Sequence, residues 1–211
     1  SAVRSSSSRR ILIVGSGLTG AFVAKQLAQA ASDGSALVTV WDKAKKCGGR
    51  MNTTFCSFDS NLTADLGAQY LTRLRSQSAA VQAAFDELAG AGIVETFGGK
   101  IQNERAMEDE ACKYVAPAGF GSVVDYFLQE AARVGGDGLA VHFEHQLQSL
   151  DSSGHAWRAR ATNGAEGEFD SVLLTFPAPQ VLKLDGTWSQ RLGCAALPAC
   201  DASALELLRS I

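Results

Sequence analysis

The chain has 211 residues and a formal charge of −3, with 46% hydrophobic and 19% charged residues. That length can bury a core without cross-links, and the composition excludes wholesale disorder. With 19 basic against 22 acidic residues there is no basic footprint of a dedicated nucleic-acid binder.

Residues 1–10, SAVRSSSSRR, are polar and serine-rich and are expected to be disordered; without a starting Met, a processed or partial terminus is one expectation for them. An arginine- and serine-rich transit leader remains open for them. Ile11 to Val14 is a short apolar run that predicts a buried parallel strand. Gly15-Ser16-Gly17-Leu18-Thr19-Gly20 follows, then a helix over Ala21 to Ala31, a turn at Ser32 to Ser35, and a second strand, Leu37 to Trp41, closed by Asp42. Strand, glycine turn, helix and strand make one βαβ unit with parallel, neighbouring strands. The glycines interrupt the apolar stretch after Arg9-Arg10, so it is not read as a signal peptide, and no run approaches the ~18 apolar residues of a membrane span.

Residues 43–75 read as loop. A helix is predicted over Ser78 to Leu88, then a hairpin or short strands over 93–116. Ser122 is expected to N-cap a helix whose apolar face is Val123, Val124, Phe127, Leu128 and Ala131, ended by Gly135-Gly136. Strands are expected at Leu139 to Phe143, near Trp157 to Ala161, and over Phe169 to Phe176, the last stopped by Pro177 and Pro179. The plan is a discontinuous nucleotide-binding domain, 11–75 and 121–185, with 76–120 as an excursion into a second, substrate domain; 186–211 is an atypical C-terminal segment in which only Ala202 to Leu208 looks helical.

The strongest signal is Gly15-x-Gly17-x-x-Gly20 with Asp42 about twenty residues further on. Gly15 permits the tight turn, Gly17 lets backbone approach a pyrophosphate, and Gly20 allows close helix packing. The helix N-terminus offers N–H groups and partial positive charge to phosphates. Asp42 is placed to accept hydrogen bonds from an adenosine ribose, and its charge opposes a 2′-phosphate. The fingerprint alone does not choose between NAD and FAD. After the acid comes Cys47-Gly48-Gly49-Arg50-Met51, whose paired glycines allow close approach to a cofactor and whose Arg50 offers a forked cation to phosphate. Lys43, Lys45 and Lys46 read first as a solvated face, with Lys43, next to the acid, kept among the candidate cofactor contacts.

Competing chemistry is thin. His142 and His145 with Glu144 resemble a metal set, but strand alternation sends 142 and 144 to one face and 145 to the other, so no metal site is expected. No GxSxG elbow or Walker glycine loop is present. Five cysteines, an odd count without CxxC spacing, read as mostly free thiols of a reducing compartment, which favours the cytoplasm.

GSGLTG, VWDKAKKCGGRMNT and TADLGAQYLT, followed in order by KYVAPAGFGSVVDYFL and FDSVLLTFPAPQVLKL, resemble the N-terminal half of the flavin-dependent amine oxidase superfamily over about residues 11–185. The resemblance implies an α/β fold: a Rossmann-like, three-layer FAD/NAD(P)-binding domain with a mainly parallel sheet, plus part of a second α+β substrate domain. It implies FAD held non-covalently. Gly15, Gly17, Thr19 and Gly20 would lie at the pyrophosphate, Asp42 on the ribose, Gly49 and Arg50 beside the phosphates and ribityl chain, and Gln69 and Tyr70 beside the flavin. Backbone near Val141 or His142 would meet the adenine, and Thr175 and Pro177 would approach from the strand ends.

The implied activity is oxidation of isomeric dihydronicotinamide dinucleotides, NAD(P)H forms, with molecular oxygen as acceptor and hydrogen peroxide as product. The alternatives are an amine oxidase of another substrate class, a flavin desaturase, and an inert short isoform acting as a binding or signalling module. No residue stands out as catalytic, because flavin carries the electron chemistry. The expected partners are a small-molecule substrate, a reduced nicotinamide dinucleotide or an amine, and oxygen. A secreted location is also compatible with the resemblance. Residues 186–211 lose it, and the superfamily's closing Gly-Asp-helix segment is not found there, so weak flavin retention is expected.

Overall fold

The computed structural model describes residues 8–59, 62–102 and 110–188. In chain order the elements are β1 (Arg9–Val14), α1 (Leu18–Ala30), β2 (Ala36–Trp41), β3 (Thr53–Phe55), β4 (Thr63–Asp65), β5 (Leu71–Leu74), α2 (Ala79–Gly90), β6 (Glu95–Thr96) and β7 (Glu110–Val115). They continue with α3 (Gly121–Gly135), β8 (Leu139–His142), β9 (Leu147–Ser153), β10 (Ala156–Ala161), β11 (Glu166–Phe169), β12 (Ser171–Leu174) and α4 (Ala178–Val181). Two compact units result, one from the described parts of 1–47 and 128–211, the other from Gly48–Phe127, with the division falling inside α3. The second is wider than the expected 76–120 excursion, because β5 pairs antiparallel with β7 and the β3–β4 hairpin bonds to the start of α3.

The first unit is built on a parallel sheet of order β12-β1-β2-β8. Alternation along β1 and β2 divides the apolar residues between two faces. Ile13, Val38 and Val40 face α1, whose Ala21, Ala24 and Ala28 are buried, small residues that let the helix lie close to the strands. Leu12, Val14 and Trp41 form the other face and pack with Leu147, Leu150, Ala159 and Phe169 of the antiparallel sheet β11-β10-β9. The third layer is therefore a sheet. Leu12, Ile13 and Val40 are wholly buried, each contributing about 1.5–3 kcal/mol by leaving water.

The run expected as one strand, Phe169 to Phe176, belongs to two sheets. Phe169 pairs with Trp157 in the antiparallel layer, whereas Ser171 sits beside Ile11 in the parallel one. Asp170 makes the step: its N–H donates to the Arg10 carbonyl, and its carboxylate accepts the Arg10 N–H at 2.7 Å. An apolar run carries no mark of which sheet each half joins. Beyond α4, Asp185 bridges to Ser149 and Trp188 completes the core, its indole N–H donating to the Leu184 carbonyl. The helix expected at Ala202 to Leu208 lies outside the described residues.

In the second unit, the segment expected as loop carries β3, β4, β5 and a 3-10 turn at Gly49–Met51. These three- and four-residue strands are too short to show a period. β5, β7 and β6 form an antiparallel sheet, and Phe85 of α2 stacks on Tyr114 of β7 with ring centroids 5.3 Å apart. The apolar face expected on α3 is buried throughout. Ser122 does not cap that helix, since its hydroxyl donates to the Gly119 carbonyl. The caps come from the hairpin: Asp65 accepts the Phe120 N–H at 2.8 Å and Thr53 accepts the Gly121 N–H at 2.9 Å.

Candidate functional site

In the first unit, β1 and β2 run side by side in register, Val14 beside Trp41, so the glycine turn and Asp42 leave adjacent strands at the same edge. The Gly15 N–H donates to the Trp41 carbonyl at 2.7 Å, holding the turn to the end of β2. Gly15 has φ of 107°, a region that L side chains rarely adopt, and a Cβ on it would strike the Thr175 hydroxyl. A Cβ at Gly20 would collide with the Gly15 carbonyl oxygen, so the first turn of α1 lies directly against the strand exit. The Thr175 hydroxyl lies 2.9 Å from the Val14 carbonyl oxygen and 3.1 Å from that of Gly15, and donates to this pair. Thr175, expected from the resemblance to approach the cofactor, ties β12 to the turn.

α1 begins at Leu18 with no side-chain cap at Gly17 and no acid in its first turn. Its first-turn N–H groups, with exposed Thr19 among them, therefore present the positive end of the helix dipole without protein competition. An anion is the matching ligand.

Asp42 is 8% exposed. One carboxylate oxygen accepts both the Ser16 N–H and the Ser16 hydroxyl, each at 2.6 Å; the other accepts the Ala44 N–H at 2.8 Å. Ser16 is fully buried. Its partnership with Asp42 is absent from the expectations, although a small hydroxyl residue inside a glycine turn, beside a strand ending in an acid, is the signal that would have found it. Lys43 is exposed.

His142 and His145 do not diverge as expected. β8 ends at His142, and Glu144 turns left-handed at φ of 58°, bringing the two imidazoles to a centroid separation of 5.1 Å, with His145 also 5.6 Å from the Trp41 ring. Alternation fails here because the strand has already ended. Among the described residues, no group of three or more His, Cys, Asp or Glu could hold a metal ion. Of the cysteines, Cys47, Cys56 and Cys112 are thiols; Cys194 and Cys200 lie outside the described residues.

The remaining candidates are in the second unit. The Ala68 N–H donates to the Arg50 carbonyl at 3.2 Å, and Leu66 N–H to the Asn52 carbonyl at 3.0 Å. This pairing brings the 3-10 turn holding Gly49 and Arg50 beside the segment that leads into Gln69 and Tyr70. Gly49, Arg50, Gln69 and Tyr70 are all exposed, Tyr70 by 42%. An exposed cation, amide and phenol offer binding contacts and no nucleophile.

Residues 13–88 match the model of the NAD(P)-binding Rossmann-like domain family. The chain is 34% identical over 177 residues to renalase from Mus musculus, an alignment covering 84% of this chain and 49% of that protein. It thus spans about half the length of that relative. Among solved structures it is similar to the PF1083 protein from Pyrococcus furiosus, with TM-score 0.63, 13% identity, and 96% of this chain and 65% of that one covered. A protoporphyrinogen-oxidase candidate from Exiguobacterium gives TM-score 0.58 at 14% identity, covering 95% of this chain and 64% of that one. At such identities these two similarities establish the fold, a mixed α/β Rossmann-like domain on a parallel sheet.

Proposed function

We propose, from the premise that this chain matches renalase along most of its own length, that it is the dinucleotide-binding portion of a renalase-like, FAD-dependent oxidoreductase. The observation that carries the reading is the shared edge of β1 and β2, with an uncapped helix N-terminus at one strand end and Asp42 at the other. Those donors and that acceptor fit an adenosine diphosphate group, the common half of FAD and NAD. Gly17, Thr19 and Gly20 would hold the pyrophosphate through backbone N–H groups, Gly15 would shape the turn beside it while its own N–H stays on the Trp41 carbonyl, and Asp42 would hold the ribose, with Lys43 at the rim.

In the second unit, Gly49 and Arg50 are proposed contacts to the phosphates and ribityl chain, and Gln69 and Tyr70 contacts beside the flavin. When bound, FAD supplies a two-electron acceptor for a hydride from an isomeric dihydronicotinamide dinucleotide, with oxygen taking the electrons on as hydrogen peroxide. The chain's own residues bind and orient; none is assigned a proton-transfer role.

The test is a titration of the full chain with FAD, followed by flavin fluorescence, with ADP as competitor. Saturable binding displaced by ADP is expected; failure of both nucleotides to bind overturns the reading. Peroxide production from isomeric dihydronicotinamide dinucleotides then separates an active oxidase from an inert binding module.

A further inference from the structure

We infer that Ser16 is a positioning residue that orients the Asp42 carboxylate so that it recognises a single ribose hydroxyl of the bound nucleotide. The inference rests on the dinucleotide reading above. A carboxylate has about four acceptor positions. In Asp42, Ser16 takes both positions on one oxygen through its N–H and its hydroxyl, and the Ala44 N–H takes one on the other. One acceptor position is left. The aspartate backbone is fixed as well, its N–H donating to the His142 carbonyl and its carbonyl accepting from the His145 N–H, both within 2.9 Å.

The side chain therefore cannot turn to meet a second hydroxyl without breaking a short, charge-assisted bond, nor the main chain without breaking a backbone hydrogen bond. Ser16 itself is fully buried, so it acts only through Asp42. A ribose whose two hydroxyls both faced this carboxylate would find one acceptor for two donors.

The test compares ADP with 2′-deoxy-ADP and 3′-deoxy-ADP, binding to the full chain by calorimetry. Removing one hydroxyl should weaken binding about tenfold, as expected for one hydrogen bond to a charged group, and removing the other less than about twofold. Ser16→Ala should weaken ADP about tenfold, leave the sensitive deoxy analogue nearly unchanged, and have no added effect in an Asp42→Asn background. A merely structural role for Ser16 would weaken all three nucleotides alike. Equal losses for the two deoxy analogues, with ADP still bound, overturn this inference alone. No binding of ADP overturns the dinucleotide reading, and this inference with it.

Discussion

Gly20 and Asp170 show how single residues set the geometry of the first unit. Because a Cβ at Gly20 meets a backbone carbonyl oxygen, nothing flexible can yield, and Gly20→Ala must push α1 away from the strand exit. Overpacking of this kind costs about 1–3 kcal/mol, and the upper end is expected here because the partner is main chain. Urea denaturation of the variant measures it. The Asp170 carboxyl is held below its ordinary value, first by the Arg10 backbone N–H and then by the Arg10 side chain. A lowered folded-state pKa stabilises the fold fully above the unfolded value of about 4, and that contribution disappears as pH falls through the folded value. Asp170→Asn should therefore lose stability relative to the parent at neutral pH and converge with it in acid; melting temperatures between neutral pH and pH 2 would show two parallel curves if the pair were inert.

Among the elements, α3 is the clearest case of a helix whose face is local and whose start is not. Val123, Val124, Phe127, Leu128 and Ala131 recur at helical spacing and are all buried, as their pattern predicts. The cap expected from Ser122 is instead supplied by Asp65 and Thr53, more than fifty residues earlier in the chain. Asp65 also accepts the Thr53 hydroxyl at 2.5 Å, so the two side chains act together. Asp65→Ala should destabilise the fold by about 0.5–2 kcal/mol, the usual cost of a lost cap, whereas Ser122→Ala should change stability by no more than a few tenths. Chemical denaturation of both variants distinguishes a cap supplied from afar from a local one.

At the scale of the whole molecule, β1 lies between β2, its near neighbour in sequence, and β12, some 160 residues away. Removing 171–211 should leave β1 as an open edge, remove the Thr175 clasp and abolish cooperative unfolding, as followed by circular dichroism during thermal denaturation. The βαβ unit, the glycine turn and the acid at the end of β2 were determined by sequence alone, because strand and helix periods, glycine conformation and chain length act within about thirty residues. Tertiary structure decided the rest. The apolar run around Asp170 divides between two sheets, the third layer is a sheet, His145 returns to His142, and Ser16 locks Asp42. Each depends on hydrogen-bond partners or packing surfaces that become neighbours only when distant segments meet, and no local pattern records which partner a strand edge or a hydroxyl will find.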